Sequence, residues 1–204
     1  MKTTVIYLIR HGELHNPQGV VYGRTVDIGL SEGGKVKMAT VADRIKEAEG
    51  KIDAIYTSPL RRSVESATII SKVMHDIPVF KDELLTESDV PALVGKPITI
   101  VDELEAKGED MYRDDLVTKG NESRQHVVKR MIEAYQKISK ENAGKKIVVV
   151  SHGDALCALF YRFKHPGEPI PVMAEVKRIY YPQKGEGWRM VLDENGNIIE
   201  TTFI

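Results

Sequence analysis

An uninterrupted apolar run near the N-terminus ends abruptly in Arg10-His11-Gly12-Glu13. Residues 3–9 have the sequence Thr-Thr-Val-Ile-Tyr-Leu-Ile, with apolar side chains at both odd and even positions. A strand with one solvated face alternates apolar and polar residues, so this pattern instead predicts a strand buried on both faces, as in a parallel sheet covered by helices. Ligands of such sheets bind beyond the carboxyl ends of the strands. The sequence therefore predicts a site that begins at residues 10–13.

Two later segments have the same organisation. Residues 146–151 form a second apolar run, which leads into His152-Gly153-Asp154, and the predicted strand 52–57 leads into Ser58-Pro59-Leu60-Arg61-Arg62. A helix is predicted over residues 60–74, which places Arg62 in its first turn, where free backbone N–H groups also favour an anion. The two His-Gly pairs at strand ends predict two imidazoles that face one pocket.

These three motifs together resemble the histidine phosphatase superfamily, also called phosphoglycerate-mutase-like. The resemblance rests on Arg10-His11-Gly12-Glu13, on Ser58-Pro59-Leu60-x-Arg62 and on Ser151-His152-Gly153, in family order over most of the chain. One such triplet arises often by chance, whereas three in order at strand ends do not. The resemblance implies a phosphotransfer enzyme in which His11 becomes a phosphohistidine.

The residue types suit that chemistry. A neutral imidazole is a good nucleophile near neutral pH, and a covalent intermediate divides one difficult displacement into two easier ones. The transferred phosphoryl group carries charge on three oxygens, which Arg10, Arg62 and His152 are expected to bind, and His152 is also expected to act in catalysis. No metal ion is required for this mechanism, and no metal site is predicted.

Protonation of the departing oxygen requires an acid, whose conjugate base can then activate water. Glu87 is the candidate, because Leu85-Thr86-Glu87 followed by Ala92-Leu93-x-Gly95-Lys96 is similar to the family segment that carries the acid/base glutamate. Glu13 is the alternative, although the resemblance implies an orienting role for it. A carboxyl group that acts as an acid at neutral pH needs a raised pKa, which burial supplies.

The loop after His11 predicts substrate contacts. Asn16, Tyr22, Gly23 and Arg24 resemble the substrate loop of the family. The family asparagine usually follows the catalytic histidine by six positions, where this chain has Pro17, so Asn16 stands one residue early. Arg24 is expected to contact substrate or phosphate.

Length and element order predict one domain over residues 1–204, because this length supports one substantial core and is short for two. The fold class is α/β: a three-layer α/β/α sandwich with a mostly parallel central sheet and an antiparallel C-terminal edge. Strands are expected at residues 176–181, 188–192 and 198–202, the last two joined by a hairpin at Asn195-Gly196. The irregular segment 81–125 is predicted to be a lid.

Composition limits the partners and location. The chain has 29 basic and 30 acidic residues, so charge gives no case for nucleic acid or an anionic membrane as partner. The N-terminal apolar run is too short for a signal peptide or a transmembrane helix, which predicts a cytoplasmic protein. Cys157 is the only cysteine, which excludes an intramolecular disulfide. The expected partner is a small phosphomonoester, and an edge strand of the C-terminal hairpin leaves pairing into a homodimer open.

The favoured activity is a metal-independent phosphatase without a cofactor. The alternative is a phosphoglycerate mutase that depends on 2,3-bisphosphoglycerate. Against the mutase, Val90 and Pro91 replace the tyrosine and glycine expected after the acid, Arg113 lacks the paired arginine of the mutase lid, and Asp154 stands where mutases carry asparagine. A third hypothesis is a non-catalytic phosphate-binding protein, which the complete set of catalytic residue types disfavours.

Overall fold

The computed structural model describes residues 3–24 and 27–204. Its strands are β1 Thr4–Arg10, β2 Ala54–Thr57, β3 Val79–Lys81, β4 Lys146–Ser151, β5 Gly187–Leu192 and β6 Ile198–Phe203. Its helices are α1 Glu32–Glu49, α2 Arg61–Val73, α3 Thr99–Ala106, α4 Asp114–Val117, α5 Arg124–Glu141, α6 Gly153–Lys164 and α7 Met173–Tyr180, and a 3₁₀ turn spans Glu83–Leu85.

The strands form one sheet in the order β3-β2-β4-β1-β5-β6. Strands β1 to β4 run parallel, and β5 and β6 add an antiparallel edge. All seven residues of β1 are buried, which confirms the prediction of a strand covered on both faces. Arg10 at the end of β1 lies opposite Ser151 at the end of β4, so the residues after these strands emerge side by side.

Alternate residues of β1 belong to two separate apolar cores. Val5, Tyr7 and Ile9 pack with buried residues of α1 and α2 on one face of the sheet. Ile6 and Leu8 pack with α5, α6 and α7 on the other face. The result is the predicted three-layer α/β/α sandwich with a mostly parallel sheet.

The segment expected as a strand at 176–181 is helical, so that prediction was wrong. Its β-branched and tyrosine residues favour a strand by propensity, but Met173, Val176 and Tyr180 recur at helical spacing and pack against the same core. This burial outweighs the weak local preference. The predicted hairpin is present, with Gly196 at a positive φ of 84° in its turn.

The 81–125 segment is largely irregular and has a small apolar cluster of its own. The cluster contains Val21, Val90, Leu93, Leu104 and Leu116. Val21 comes from the loop that follows β1, so the cluster joins this loop to the 81–125 segment. The loop after β1 and the 81–125 segment, which both contain predicted site residues, are thereby held together. Within the described ranges, none of the helices has the length and apolar character that a membrane crossing requires.

Candidate active site

The ends of β1 and β4 bring the two predicted histidines together. The backbone N–H of His11 donates to the carbonyl of Ser151 at 3.0 Å, which extends the strand pairing into the motif. The imidazole rings of His11 and His152 lie with their centroids 5.1 Å apart and their planes at 63°. Both side chains are buried. The two strand ends thus bring the imidazoles together, although neither ring is among the residues that line the cavity described below.

The tautomer of His11 is set by its own backbone neighbourhood. Nδ1 lies 2.8 Å from the carbonyl oxygen of Gly12, and since a carbonyl only accepts, Nδ1 carries the proton. The lone pair is then on Nε2. Burial lowers the pKa of His11 well below its ordinary value, and the charges of Arg62 and Arg10 lower it further. The ring is therefore a neutral imidazole with a nucleophilic Nε2 at neutral pH.

Arg62 joins the two histidines to the loop after β1. Its side chain, at 1% exposure, is among the largest fully buried ones. Nε donates to Nδ1 of His152 at 3.2 Å, and Nη2 donates to the carbonyl of Gly23 at 3.0 Å. The guanidinium lies over the ring of Tyr22, 4.8 Å from its centroid. Burial lowers the pKa of Arg62, but an arginine stays protonated near neutral pH.

Arg10 is the second buried cation of this group. Nη1 donates to the carbonyl of Pro182 at 3.0 Å, and the guanidinium lies 4.7 Å from the ring centroid of Tyr181. Its Nε has no hydrogen-bond partner among the described residues, although the residue is only 7% exposed. An unsatisfied buried donor costs roughly 1–3 kcal/mol. An anion with several acceptor oxygens is the kind of ligand that would offset this cost.

Two serines that the sequence reasoning did not assign complete the setting of His152. Its Nε2 lies 2.8 Å from Ser58 Oγ and 3.3 Å from Ser63 Oγ. Because Nδ1 accepts from Arg62, the neutral ring carries its proton on Nε2 and donates it towards these hydroxyls. Burial, then the charge of Arg62, lowers the pKa of His152 well below its ordinary value. Ser58 belongs to the second motif, Ser58-Pro59-Leu60-x-Arg62, and this position is the sequence signal from which its contact with His152 could have been predicted.

A cavity of about 550 Å³ lies next to the buried group. Glu87 borders this cavity and is half-buried. The other residues that line it are Arg10, Glu13, Leu14, Asn16, Gly19, Val21, Tyr22, Gly23, Ser88, Val90, Ile98, Val101, Asp102, Glu105, Met111, Asp154, Lys177, Tyr181 and Lys184. The predicted acid, Arg10 and three of the four predicted loop residues thus share one cavity.

The carboxyl group of Glu87 has a raised pKa. Burial is the main cause and the charge of Asp154 adds to it, while the N–H of Ser88 and the charges of Arg62 and Arg10 act in the opposite direction. Oε1 accepts the N–H of Ser88 at 2.9 Å. A raised pKa shifts the carboxyl group towards the protonated form that a general acid needs.

Asp154 lines the cavity, and the sequence analysis used it only as an argument against the mutase. One carboxylate oxygen accepts the hydroxyl of Tyr112 at 2.8 Å, and the other lies 3.2 Å from Nζ of Lys177. Nζ of Lys177 is also 2.9 Å from Glu105 Oε1. This lysine is therefore already engaged by two carboxylates.

The guanidinium of Arg24 contacts other parts of the chain. Its side chain is absent from the cavity lining, and its Nε instead donates to the carbonyl of Glu87 at 2.5 Å. Nη2 donates to Glu122 Oε2 at 2.8 Å. These bonds hold the guanidinium against the backbone that carries the acid, and a contact between Arg24 and substrate stays a prediction. Asn16 lines the cavity but also bonds both backbone groups of Val20.

Comparison with known proteins identifies the superfamily that the three sequence motifs resemble. The sequence model of the histidine phosphatase superfamily (branch 1) matches residues 6–176. The chain belongs to this superfamily. A metal-independent phosphoserine phosphatase from Arabidopsis thaliana is 30% identical over 166 residues, which cover 79% of this chain and 69% of that protein. A 2,3-bisphosphoglycerate-dependent phosphoglycerate mutase from Tropheryma whipplei is 30% identical over 182 residues, covering 76% and 80% of the two chains.

A solved structure is similar over almost the whole length of this superfamily member. The phosphoserine phosphatase from Entamoeba histolytica, in complex with 3-phosphoglyceric acid, has a TM-score of 0.74 and 26% identity and covers 98% of this chain and 96% of its own. Relatives of this chain are thus phosphatases and phosphoglycerate mutases that act on small phosphorylated molecules. The protein is accordingly a phosphotransfer enzyme.

Proposed function

We propose that the protein is a metal-independent phosphomonoester phosphatase that acts through a phosphohistidine on His11. The observation that carries the proposal is the state of this ring, which is neutral, has its proton fixed on Nδ1 by Gly12 and lies beside two buried arginines. Nε2 of His11 supplies the electron pair, and Arg10 and Arg62 supply donors for the phosphoryl oxygens. His152 supplies a further donor once its Nε2–H exchanges the Ser58 hydroxyl for a phosphoryl oxygen. The Arabidopsis relative, a metal-independent phosphatase by its name, supports the absence of a metal requirement.

The reaction proceeds in two displacements. In the first, His11 Nε2 attacks phosphorus, the P–N bond forms, the ester P–O bond breaks and the carboxyl group of Glu87 protonates the leaving alkoxide. The carbonyl of Gly12 stabilises the positive charge that develops on the ring. In the second, the Glu87 carboxylate takes a proton from water as its oxygen attacks phosphorus, the P–N bond breaks, and inorganic phosphate leaves.

The charged residues that line the cavity favour the phosphatase over the mutase. A mutase has to retain an intermediate with further anionic groups until it returns the phosphoryl group. Here Asp154, Glu105 and Asp102 line the cavity, and Lys177 is paired with the first two. Net negative charge there weakens the binding of a second anionic group. The mutase remains the second candidate, because one relative of 30% identity is a mutase.

The test follows product formation in EDTA. The enzyme is incubated with 3-phosphoglycerate plus a catalytic amount of 2,3-bisphosphoglycerate and, in parallel, with a panel of phosphomonoesters that includes phosphoserine. We expect phosphate release from members of the panel without formation of 2-phosphoglycerate. Rapid formation of 2-phosphoglycerate with little free phosphate would establish the mutase instead.

The His11→Ala variant separates an enzyme from a phosphate-binding protein. We expect it to fold, because the bond from the ring to the carbonyl of the adjacent Gly12 holds no strand pairing in place. We expect it to lose phosphate release by at least about a thousandfold, the scale on which loss of a nucleophile lowers kcat in covalent enzymes. Circular dichroism and the thermal transition check the fold. Phosphate release equal to that of the wild type would remove His11 from the mechanism.

A further inference from the structure

The proposed acid lies in a part of the chain that has little regular structure. Glu87 follows the 3₁₀ turn Glu83–Leu85, and the next helix begins only at Thr99. No strand or helix therefore fixes the direction of its side chain. A general acid has to reach its proton acceptor within hydrogen-bonding distance, and a displacement of 1 Å can cost about a hundredfold in rate. Other contacts have to hold this loop.

Two arginines from distant parts of the chain bind the backbone of the loop. Nη1 of Arg130 donates to the carbonyls of Leu84 and Thr86 at 2.8 and 2.7 Å. Nε of Arg24 donates to the carbonyl of Glu87 at 2.5 Å. The peptide groups on both sides of the Glu87 Cα are thereby fixed, and with them the direction in which its side chain leaves the backbone.

A single carboxylate orients both arginines. Oε1 of Glu122 accepts from Arg130 Nε at 2.7 Å, and Oε2 accepts from Arg130 Nη2 at 3.1 Å and from Arg24 Nη2 at 2.8 Å. Glu122 also exchanges hydrogen bonds with Asp89, whose N–H donates to Oε2 at 3.0 Å and whose carbonyl accepts the Glu122 N–H at 2.7 Å. The carboxylate thus also binds the loop backbone at Asp89, two residues after Glu87.

The burial of these charges carries a desolvation cost, so stability of the fold does not by itself explain the cluster. The side chains of Glu122 and Arg130 are 4% and 6% exposed, and that of Arg24 is 28% exposed. The desolvation of a buried ion pair can exceed its Coulombic gain, and well-packed apolar residues often stabilise a fold as well. What apolar residues cannot supply is donors that hold three carbonyl oxygens in defined places.

Arg24 also connects the acid to the phosphate-binding group. The carbonyl of the preceding residue, Gly23, accepts from Nη2 of Arg62 at 3.0 Å. Gly23 therefore contacts Arg62, which binds the phosphoryl group in the proposed mechanism. The next residue, Arg24, contacts the backbone of Glu87. The distance between these two parts of the site depends on this connection.

We propose that Glu122, together with Arg24 and Arg130, positions the carboxyl group of Glu87 for proton transfer to the leaving group. This inference rests on the proposed function, in which Glu87 is the acid. Glu122 acts through the two arginines and the loop backbone and does not touch substrate. It is a positioning residue for the first displacement.

The test compares two aryl phosphates of similar shape. Phenyl phosphate has a poor leaving group that needs a proton, whereas 2,4-dinitrophenyl phosphate has a good one that leaves as the anion. The Glu122→Gln variant should lose about tenfold or more in kcat/KM for phenyl phosphate and less than about threefold for the dinitrophenyl ester. The ratio of the two values is independent of the fraction of folded enzyme, so a merely structural role would leave it unchanged.

Arg24→Met provides a second variant in case the buried charge change prevents folding. Arg24 is the most exposed member of the cluster, and its loss removes only the contact with the Glu87 carbonyl and one contact of Glu122. We expect the ratio of the two kcat/KM values to change in the same direction as in Glu122→Gln, but by a smaller factor. Arg178→Met, which removes an exposed arginine of α7, is the matched control and should leave the ratio at the wild-type value.

The Glu87→Gln variant separates this inference from the proposed function. If it lowers activity on phenyl phosphate far more than on the dinitrophenyl ester, Glu87 is the acid. An unchanged ratio in Glu122→Gln and Arg24→Met would then overturn the positioning role alone. If Glu87→Gln itself leaves the ratio unchanged, the acid has been assigned wrongly and the positioning role is overturned with it.

Discussion

The phosphate-binding end of the site and its acid-bearing side are built in different ways. Arg10 ends β1 and His11 follows it, His152 follows β4, and Arg62 lies in the first turn of α2, so regular structure places all four. Glu87 lies in an irregular segment whose backbone is held by the side chains of Arg24 and Arg130. One part is organised by the sheet and the other by a small ion cluster.

This difference separates two kinds of sensitivity to mutation. In the proposed mechanism, a substitution at the phosphate end removes a group that touches the phosphoryl oxygens while the backbone keeps its position. On the acid side, a substitution several residues away can move the reacting group. A substitution at the phosphate end should therefore lower kcat/KM for every substrate. A substitution on the acid side should lower kcat/KM mainly for substrates whose leaving group requires a proton.

The largest effect is expected for Arg62→Met. Loss of one preorganised donor to a developing charge typically costs about 10²–10³ in kcat. Because the phosphoryl group is common to all substrates, we expect a similar loss for phenyl and dinitrophenyl phosphate. Steady-state kinetics with both esters measure it. A loss confined to phenyl phosphate would show that the two sides of the site are not separable in this way.

An intermediate effect is expected when an apolar side chain of the 81–125 segment is truncated. Leu93 is 2% exposed within the cluster that joins this segment to Val21, and Leu93→Ala should cost about 2–5 kcal/mol of local stability. Faster proteolytic cleavage between residues 81 and 125 and lower activity on phenyl phosphate should follow.

Leu159→Ala is the matched control for this change, because Leu159 is equally buried but lies in the larger core of α6. We expect it to lower the global thermal transition without selective cleavage of the 81–125 segment. Identical cleavage patterns in the two variants would contradict a segment with separate local stability.

The smallest effect is expected for Asp154→Asn and concerns pH. Burial and then the negative charge of Asp154 raise the pKa of Glu87, so removal of that charge lowers this pKa. Glu87 acts in its protonated form in the first displacement, and this form is then lost at lower pH. The alkaline limb of kcat/KM for phenyl phosphate should therefore move to lower pH, while that for dinitrophenyl phosphate stays in place. A shift to higher pH would contradict the assignment.

The sequence predicted which residues meet at the strand ends, because local patterns determine their positions. Apolar residues at both parities identified β1, and the strand ends then placed Arg10, His11 and His152. The position of Arg24 depends instead on Glu122 and Arg130, about a hundred residues further along the chain, and no local pattern encodes this contact. Helix α7 was missed because burial of Met173 and Val176 outweighed β-branched propensity.

The central claim is that His11 carries the phosphoryl group, and trapping the intermediate tests it most directly. Enzyme is mixed with ³²P-labelled phenyl phosphate and quenched, and the labelled residue is identified by mass spectrometry and by the stability of the label. We expect a label on His11 that is labile in acid and stable in alkali, as a phosphohistidine is, and none in His11→Ala. A label that persists in His11→Ala, or that is stable in acid, would contradict the account.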